Sequence, residues 1–528
     1  MKTILSVLGF SLLILTSCNN TKTVEKDFIQ DNIDNAAVQN TIQTDIIEKS
    51  GRVLNPRTID KDGNIVYIPI DDWCSGFYPG SIWLTYELTG DKKWLPLAVK
   101  YTEALDSVKH LKWHHDVGFM IGCSYLNGYR LADKKEYKDV IVEAARSLST
   151  RFRPNAGVIQ SWDADRGWQS TRGWKCPVII DNMMNLELLF EATALSGDST
   201  FYNIAVKHAD TTMAHHFRQD NSCYHVVDYS LKDGSVRNRH TAQGYAHESA
   251  WSRGQAWGIY GLTLCYRETG DRKYLDLALK AVRFMFSHKN TPEDLVFYWD
   301  MDAPNIPDDY RDASAAACIA SALYEISTMD VPEPQTYKAY ADRIMKSLAS
   351  PAYRAELGTN GNFLLMHCVG SIPHNGEIDV PLNYADYYFL EALKRKRDIE
   401  QRLLITSAKP VRAAGASRPV STVLYFVAIQ VVHFHFDLVA DPAKFTGNGF
   451  GRTFCTCRVV EAGVYQVAYF SCESRAVFFC ISADGDHIVP GGIYIFFYRF
   501  RFMMTDIDAG RCQCLDGERM YLGLIPAE

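Results

Sequence analysis

The feature of this sequence that most constrains its fold is a helical pattern that recurs between about residues 72 and 397. In each copy a helix ends, a short turn with an aspartate follows, and an amphipathic helix begins. Four clear copies are YELTGDKKWLPLAVKYTEAL, YRLADKKEYKDVIVEAARSL, ATALSGDSTFYNIAVKHADTTM and YRETGDRKYLDLALKAVRFM. The turns are roughly 40 to 75 residues apart, whereas a tetratricopeptide repeat has about 34 residues. About six such hairpins predict an all-α fold, an (α/α)6-barrel with apolar inner helices and amphipathic outer helices.

The turns of three copies carry the residues that usually begin and end helices. Glycine adopts the left-handed geometry of a helix C-cap at little cost, and an aspartate side chain accepts the free amide protons of the next helix. The expected C-cap residues are Gly90, Gly197 and Gly270. The expected N-cap residues are Asp91, Asp198 and Asp271.

The first 18 residues have the features of a secretory signal. Lys2 precedes an apolar run over residues 4–15 that is too short to span a bilayer. The tetrapeptide LTSC, which ends at Cys18, resembles a bacterial lipobox and implies cleavage before Cys18 and lipidation of that cysteine. An ordinary signal peptide with a chance cysteine is the alternative. We therefore expect a periplasmic protein, anchored by lipid to the cell envelope of a Gram-negative bacterium.

Composition divides the remainder of the chain into three parts. Residues 19–46 are rich in Asn, Thr and Asp and predict a flexible spacer, and residues 47–400 carry the helical repeats. The third part is the tail described below.

Aromatic content and net charge indicate which ligands the protein could bind. Aromatic residues make up 12% of the chain, which favours a surface that stacks against ring-shaped ligands. The net charge of -7 argues against nucleic acid as a partner, and an acidic ligand would need a local cationic patch.

The tail, residues 401–528, differs in character from the repeats. Its apolar runs VLYFVAIQVVHFHFDLVA and IYIFFYRFRFMM favour β-structure but show no clean alternation. A small disulfide-stapled β-domain is one interpretation. A metal site formed by His433, His435, Cys455 and Cys457 is another, although that spacing is poor for zinc. We favour a third, that the tail is not an evolved domain but translation continued in the wrong frame or past a lost stop, because no hydrophobic period persists in it. Its structure is left open between β and disordered.

The stretch PVIIDNMMNLELLFE, residues 177–191, contains the first candidate for chemistry. Asp181 precedes a run that is apolar on nearly every side, and this predicts a buried helix beginning at Asp181. The carboxylate is therefore either an N-cap or a working acid at the mouth of a buried cavity.

Other segments rich in Trp, His and Gly follow at about one per repeat. They are WCSGFYPGSIW (73–83), KWHHDVGF (112–119), SWDADRGWQSTRGW (161–174), CYHVVDY (223–229) and RNRHTAQGYAHESAWSRGQAW (237–257). Because functional residues concentrate on the loops of a rigid scaffold, we expect these segments to converge on one pocket.

The motifs WxSGFxPGxxW, HDxGF, IIDNMMNLELL, YHVVDY and QGYxxESxWSRGQAW occur in this order. Together they resemble the unsaturated glucuronyl hydrolases of glycoside hydrolase family 88, over about residues 73–397, and this resemblance implies the (α/α)6-barrel. Such enzymes are understood to hydrate the C4=C5 double bond that polysaccharide lyases leave in a non-reducing uronic acid. The resulting hemiketal opens and releases the sugar, so one acid/base group suffices and neither a metal nor another cofactor is expected.

The resemblance also implies roles for individual residues. Asp181 would be the acid/base, and Asp116 its partner, which holds the sugar hydroxyls. Desolvation and a nearby Asp116 carboxylate should raise the pKa of Asp181, whereas the helix dipole should lower it. We expect a bell-shaped dependence of the rate on pH, with its optimum on the mildly acidic side.

Six further positions match substrate-binding positions of the family: Arg253, for the uronate carboxylate, with Gln243, His115, His225, Trp73 and Trp257. Burial in the core is the alternative for each tryptophan, and either Trp162 or Trp168 could add a third stacking platform. A solvated charged loop is an equal alternative for Arg237, Arg239 and His240.

The expected partners are unsaturated uronic-acid oligosaccharides. In members that prefer sulfated disaccharides, a late loop offers serines and a lysine to the sulfate. Here GSIPHNGEID keeps Ser371 but has His374 and Gly376 where a second serine and the lysine would stand, which argues against sulfate preference of that type. Two other functions remain open: an unsaturated rhamnogalacturonyl hydrolase, which shares the barrel and the chemistry, or a non-catalytic glycan-binding lipoprotein.

Overall fold

A computed structural model of the protein describes residues 27–407 and six strands between residues 434 and 514. The chain divides into two units, Met1–Leu403 and Leu404–Glu528, close to the predicted boundary at residue 400. The first unit is mainly helical and contains the residues predicted for chemistry. Across the described residues, none of the helices combines the length and the apolar character needed to cross a membrane.

Thirteen α-helices lie within residues 27–407. They are α1 (Phe28–Lys49), α2 (Phe77–Thr89), α3 (Trp94–Glu103), α4 (Val117–Ile121), α5 (Asn127–Leu131), α6 (Tyr137–Ser149), α7 (Leu186–Ser196), α8 (Ser199–His216), α9 (Ser252–Thr269), α10 (Arg272–Ser287), α11 (Ala313–Ile326), α12 (Pro334–Leu348) and α13 (Asn383–Ser407). A π-helical turn, Gly122–Leu126, joins α4 to α5.

The helices form the (α/α)6-barrel that the repeats predict. The inner ring consists of α2, α4 with α5, α7, α9, α11 and α13, and an outer helix pairs with each inner one. Nearly every residue of α11 is buried, whereas α10 and α12 bury a single face, as expected of inner and outer helices. Helix α13 closes the ring, because Arg395 Nη1 donates to Ser321 O of α11 at 2.8 Å and Arg397 Nη1 donates to Glu87 O of α2 at 2.9 Å.

The predicted cap residues are confirmed at the turns between paired helices. Gly90, Gly197 and Gly270 end α2, α7 and α9 in the left-handed conformation. Asp198 and Asp271 accept backbone N–H groups at the starts of α8 and α10. The Asp91 carboxylate likewise accepts the Lys93 N–H, one residue before α3 begins.

Helix α1 corrects the prediction of a flexible spacer over residues 19–46. From Phe28 onward this segment is helical, and it completes the outer ring beside α2 and α13. Its polar composition misled the prediction because its buried polar side chains bond to the barrel. Asn40 Nδ2 donates to Thr85 Oγ1 at 2.8 Å, and Gln43 Nε2 donates to Gly361 O at 3.0 Å. Cys18 and the rest of residues 1–26 lie outside the described residues.

Short strands lie in the connections of the first unit. They are β1 (Asn55–Ile59), β2 (Ile65–Ile68), β3 (Phe152–Arg153), β4 (Val158–Ile159), β5 (Pro177–Ile179), β6 (Val226–Tyr229), β7 (Val236–His240), β8 (Cys368–Ser371) and β9 (Gly376–Val380). Strands β5, β6 and β7 form one antiparallel sheet in which Val227 lies between Val178 and Arg239. This sheet positions two of the predicted site residues, because Asp181 follows β5 and His225 precedes β6.

Beyond the end of α13, the described part of the second unit consists of strands. They are β10 (Phe434–Phe436), β11 (Thr456–Ala462), β12 (Tyr465–Cys472), β13 (Arg475–Ser482), β14 (Met503–Thr505) and β15 (Cys512–Cys514), and the first four form an antiparallel sheet. The disulfide and metal interpretations of the tail concern side chains that lie outside the described residues. The interpretation that the tail is not an evolved domain stays a prediction.

Candidate active site

Asp181 lies at the junction between sheet and barrel. Strand β5 ends at Ile179, and a 3₁₀ helix, Ile180–Asn185, carries Asp181 before α7 begins at Leu186. This differs from the predicted helix beginning at Asp181. The capping role is not observed either, because the Asp181 side chain accepts no capping hydrogen bond from either helix.

The environment of Asp181 shifts its acidity strongly. Only 13% of its side chain is exposed, and burial raises the pKa of its carboxyl group to about 7. The Arg253 guanidinium and the Trp257 indole favour the charged form and limit this rise. Among the described residues, Asp181 Oδ1 is nevertheless buried without a hydrogen-bond partner. A carboxyl group with a pKa near neutrality can both give and take a proton under physiological conditions.

His225, on the loop just before β6, presents a hydrogen-bond donor to this carboxyl group. Its Nδ1 accepts the backbone N–H groups of Ala242 and Gln243 at 3.1 and 3.2 Å, so Nδ1 carries no proton. Burial lowers the pKa of His225 well below its usual value, and the neutral ring must carry its proton on Nε2. Nε2 lies 3.8 Å from Asp181 Oδ1, and an oxygen atom placed to one side could hydrogen-bond to both at about 2.8 Å.

Asp116 is held beside the Asp181 segment by Asn185. Asn185 Nδ2 donates to Asp116 Oδ1 at 3.0 Å, and Asn185 Oδ1 accepts the Phe119 N–H at 2.9 Å. A Cβ atom on Gly118 would lie 2.5 Å from Asn185 Cα, so only glycine permits this approach. Sequence reasoning missed Asn185, although its place one helical turn after Asp181 was a usable signal.

His115 and Asp116 form a second buried pair. His115 Nε2 lies 3.1 Å from Asp116 Oδ2, and the ring also hydrogen-bonds to the backbone of Ser161. Burial raises the pKa of Asp116 well above its usual value, and the Asp181 charge raises it further. The two carboxyl groups therefore interact. The interaction raises the pKa of Asp116, whereas the prediction was that it would raise the pKa of Asp181. Asp181, whose pKa is raised to about 7, is the group poised for proton transfer near neutral pH.

Arg253 lies close enough to Asp181 to lower its pKa, but its guanidinium is occupied within the protein. Its Nη1 donates to Asp312 Oδ2 at 2.8 Å and to Val369 O, and its Nη2 donates to Gly370 O at 2.6 Å. Asp312 was not identified from the sequence. The role of Arg253 as the partner of the uronate carboxylate stays a prediction.

Three other predicted residues surround the same centre. Gln243 Nε2 donates to Gly370 O at 3.1 Å and so ties the 241–247 loop to β8. Trp73 is partly exposed and packs at 5.0 Å from the Tyr384 ring. Trp257 is 1% exposed, because Phe119 and Tyr388 pack against it. It offers no face for stacking in this structure, and the alternative of a core residue describes it better.

A row of aromatic rings leads away from the two histidines. The Trp162 ring lies 6.3 Å from that of His115 and 6.1 Å from that of His225. Trp168 follows 5.1 Å from Trp162, and it is 37% exposed. Trp168 therefore has the accessible face that a third platform requires, whereas Trp162 lies between it and the catalytic centre.

The structure also resolves the charged segment 237–240. Arg237 pairs with Asp228, Arg239 Nε donates to His215 O at 3.1 Å, and His240 Nδ1 accepts the Trp174 indole N–H at 2.8 Å. These groups have partners within the protein, which favours the alternative in which they do not bind substrate.

One cluster among the described residues could in principle hold a metal ion. His114, His115 and Asp116 bring three potential ligand atoms within 4.8 Å of one another. His114 Nδ1 already accepts the Asp116 N–H at 3.1 Å, and Asp116 Oδ1 accepts from Asn185. The cluster is thus explained by hydrogen bonds, and the absence of a cofactor stays a prediction.

Fold and site together define a helical-barrel enzyme with a pair of buried carboxyl groups, one of them poised for proton transfer near neutral pH. The sequence model of Glycosyl Hydrolase Family 88 matches residues 55–408. The chain belongs to this family, the unsaturated glucuronyl hydrolases.

Similar proteins carry the same description. The unsaturated glucuronyl hydrolase of Formosa agariphila is 42% identical over 396 residues, which cover 74% of this chain and 97% of that protein. The crystal structure of an unsaturated glucuronyl hydrolase specific for heparin is 43% identical, with a TM-score of 0.67, and covers 71% of this chain and 98% of its own. A mutant of the enzyme from Streptococcus agalactiae, complexed with dGlcA-GalNAc6S, is 28% identical, with a TM-score of 0.56, over 70% of this chain and 91% of its own. Neither alternative function is favoured by these relatives.

Proposed function

We propose that this protein hydrates the C4=C5 double bond of the non-reducing unsaturated glucuronic acid in oligosaccharides produced by lyases. Asp181 gives its proton to C4, and positive charge develops at C5 next to the ring oxygen. A water molecule then forms a bond to C5 and returns one proton to Asp181. The resulting hemiketal opens, so the uronic acid leaves in its keto form and the neighbouring sugar is released.

The observation that carries this proposal is the raised pKa of Asp181 together with its unpartnered carboxylate oxygen. Its pKa of about 7 supplies a protonated acid near neutral pH, and its unpartnered Oδ1 leaves an acceptor for the water proton. The Nε2–H group of His225 can orient an oxygen atom on the same side, and Asp116 and His115 can hold sugar hydroxyls beside it. One group that cycles its proton in this way balances the reaction without a second acid or base.

A panel of unsaturated disaccharides tests the activity. We expect wild-type protein to remove the ultraviolet absorbance of the double bond in unsaturated chondroitin or heparin disaccharides, with release of the keto acid and the free sugar. Unsaturated rhamnogalacturonan disaccharide is the comparison. Turnover of that substrate alone would favour the rhamnogalacturonyl alternative. Binding without loss of absorbance from any substrate would favour the glycan-binding alternative.

We propose further that the mature chain is a lipoprotein, anchored through Cys18 in the periplasm of a Gram-negative cell. The support is the sequence before Cys18, with its short apolar run and LTSC tetrapeptide. In cells fed a labelled fatty acid, wild type should incorporate label and sediment with membranes, whereas Cys18→Ser should do neither. Recovery of unlabelled wild-type protein in the soluble fraction would contradict the anchor.

A further inference from the structure

The side chain of Arg172 has no anionic partner among the described residues. It is exposed, and it forms no hydrogen bond or ion pair with the described part of the chain. Arg166 and Arg151, by contrast, both pair with Asp163, and Arg237 pairs with Asp228. An exposed guanidinium without an anionic partner is free to meet an anion on a ligand.

Arg172 is nevertheless held in place by aromatic rings. Its guanidinium carbon lies 5.5 Å from the centre of the Trp168 ring and 5.8 Å from that of Trp174, which are distances for cation–π attraction. Trp168 lies on the row of rings that starts at His115 and His225. The charge of Arg172 is therefore placed along the path that leads away from the reacting sugar.

A second loop reaches the same place from the other side of the path. The His374 ring lies 5.0 Å from that of Trp168, and His374 Nδ1 and Ser371 Oγ are 2.7 Å apart. Arg172 and His374 thus both contact the Trp168 ring. Burial, and then the Arg172 charge, lower the pKa of His374, which favours its neutral form. His374 and Ser371 add hydrogen-bonding capacity beside Arg172 without competing for its charge.

We propose that Trp168, Arg172 and His374 form a subsite for an anionic sugar next to the unsaturated uronic acid. The sugar ring stacks on Trp168, and its sulfate or carboxylate group pairs with Arg172. This subsite rests on the proposed function, since it is defined relative to the uronic acid bound at Asp181. The cation of this subsite, Arg172, lies on the 167–172 turn, and the 371–376 loop contains no lysine.

Matched substrates and variants test the subsite. Two unsaturated disaccharides that differ only by a sulfate on the second sugar are compared, together with an unsaturated tetrasaccharide whose next anion is a carboxylate. Arg172→Gln should raise KM for the sulfated disaccharide about five- to tenfold at low salt, with kcat nearly unchanged and KM for the unsulfated one changed less than about twofold. A raised KM for the tetrasaccharide as well would identify carboxylates as ligands too. Arg172→Lys should restore part of the loss.

Arg166→Gln serves as the control, because it removes the same charge from the same loop at a residue paired with Asp163. It should leave KM for all three substrates within about twofold of wild type, as expected for an exposed charge that does not touch the ligand. Equal losses in Arg172→Gln on sulfated and unsulfated disaccharides, or equal losses in both variants, would overturn the subsite. Failure of wild type to turn over any unsaturated disaccharide would instead overturn the proposed function and the subsite with it.

Discussion

Asp181→Asn is expected to lower kcat about 10²- to 10⁴-fold, the usual contribution of a general acid or base. The amide has nearly the same shape but cannot give a proton to C4 or take one from water. The fold should persist, because the burial that raises the pKa of Asp181 already favours a neutral side chain. Loss of the double-bond absorbance measures turnover, and thermal unfolding measures the fold.

Asp165→Asn is the matched control, since Asp165 is exposed on the loop that carries Trp162 and Trp168. It should retain wild-type turnover.

The wild-type rate should also depend on the pH through Asp181. With a pKa of about 7, the acid is protonated below that pH, so kcat/KM should fall as the pH rises through about 7. A rate that continues to rise above pH 8, or an Asp181→Asn variant with near wild-type turnover, would contradict the assignment.

Asn185→Ala is expected to lower kcat/KM about 10- to 100-fold although Asn185 does not touch the substrate. The change leaves Asp116 Oδ1 and the Phe119 N–H without their partner and frees Asp116 to move. Small displacements of catalytic groups carry penalties of about this size. Each unpaired buried group also costs about 1–3 kcal/mol of unfolding free energy, which chemical denaturation measures.

Two further variants separate positioning from stability. Asn40→Ala removes a buried hydrogen bond between α1 and α2, away from Asp116, and should lower stability without lowering kcat/KM. Asn185→Asp preserves the shape but cannot donate to Asp116. It adds a carboxylate that should raise the pKa of Asp116 and alter the pH profile. Equal loss of activity in Asn40→Ala and Asn185→Ala would show that Asn185 acts only through stability.

Local pattern was sufficient for the barrel. The repeated helical hairpins could bury their apolar faces only against one another. The helical periodicity of the apolar residues therefore predicted a ring of hairpins. Gly90, Gly197 and Gly270 end their helices as expected because left-handed geometry is a property of the residue itself. Asp116 and Asp181 stood out because the motifs around them match those of a known family.

Contacts between distant segments were not predictable in the same way. Helix α1 was assigned to a spacer because polar residues normally favour solvent, and only its partners on α2 and near residue 361 explain its burial. Trp257 resembled a stacking residue until the packing of Phe119 and Tyr388 placed it in the core.

By itself, then, the sequence determined the repeated helical hairpins with their caps and which acids are candidates, because helix periodicity, caps and motifs are local properties of the chain. Only the tertiary structure decided how those acids differ. Burial raises the pKa of Asp181 to about 7, and burial together with the Asp181 charge raises the pKa of Asp116, because burial and neighbouring charges act through space. The same reason explains why Arg253 has its charge paired while Arg172 does not, since that depends on which anion folding brings within reach.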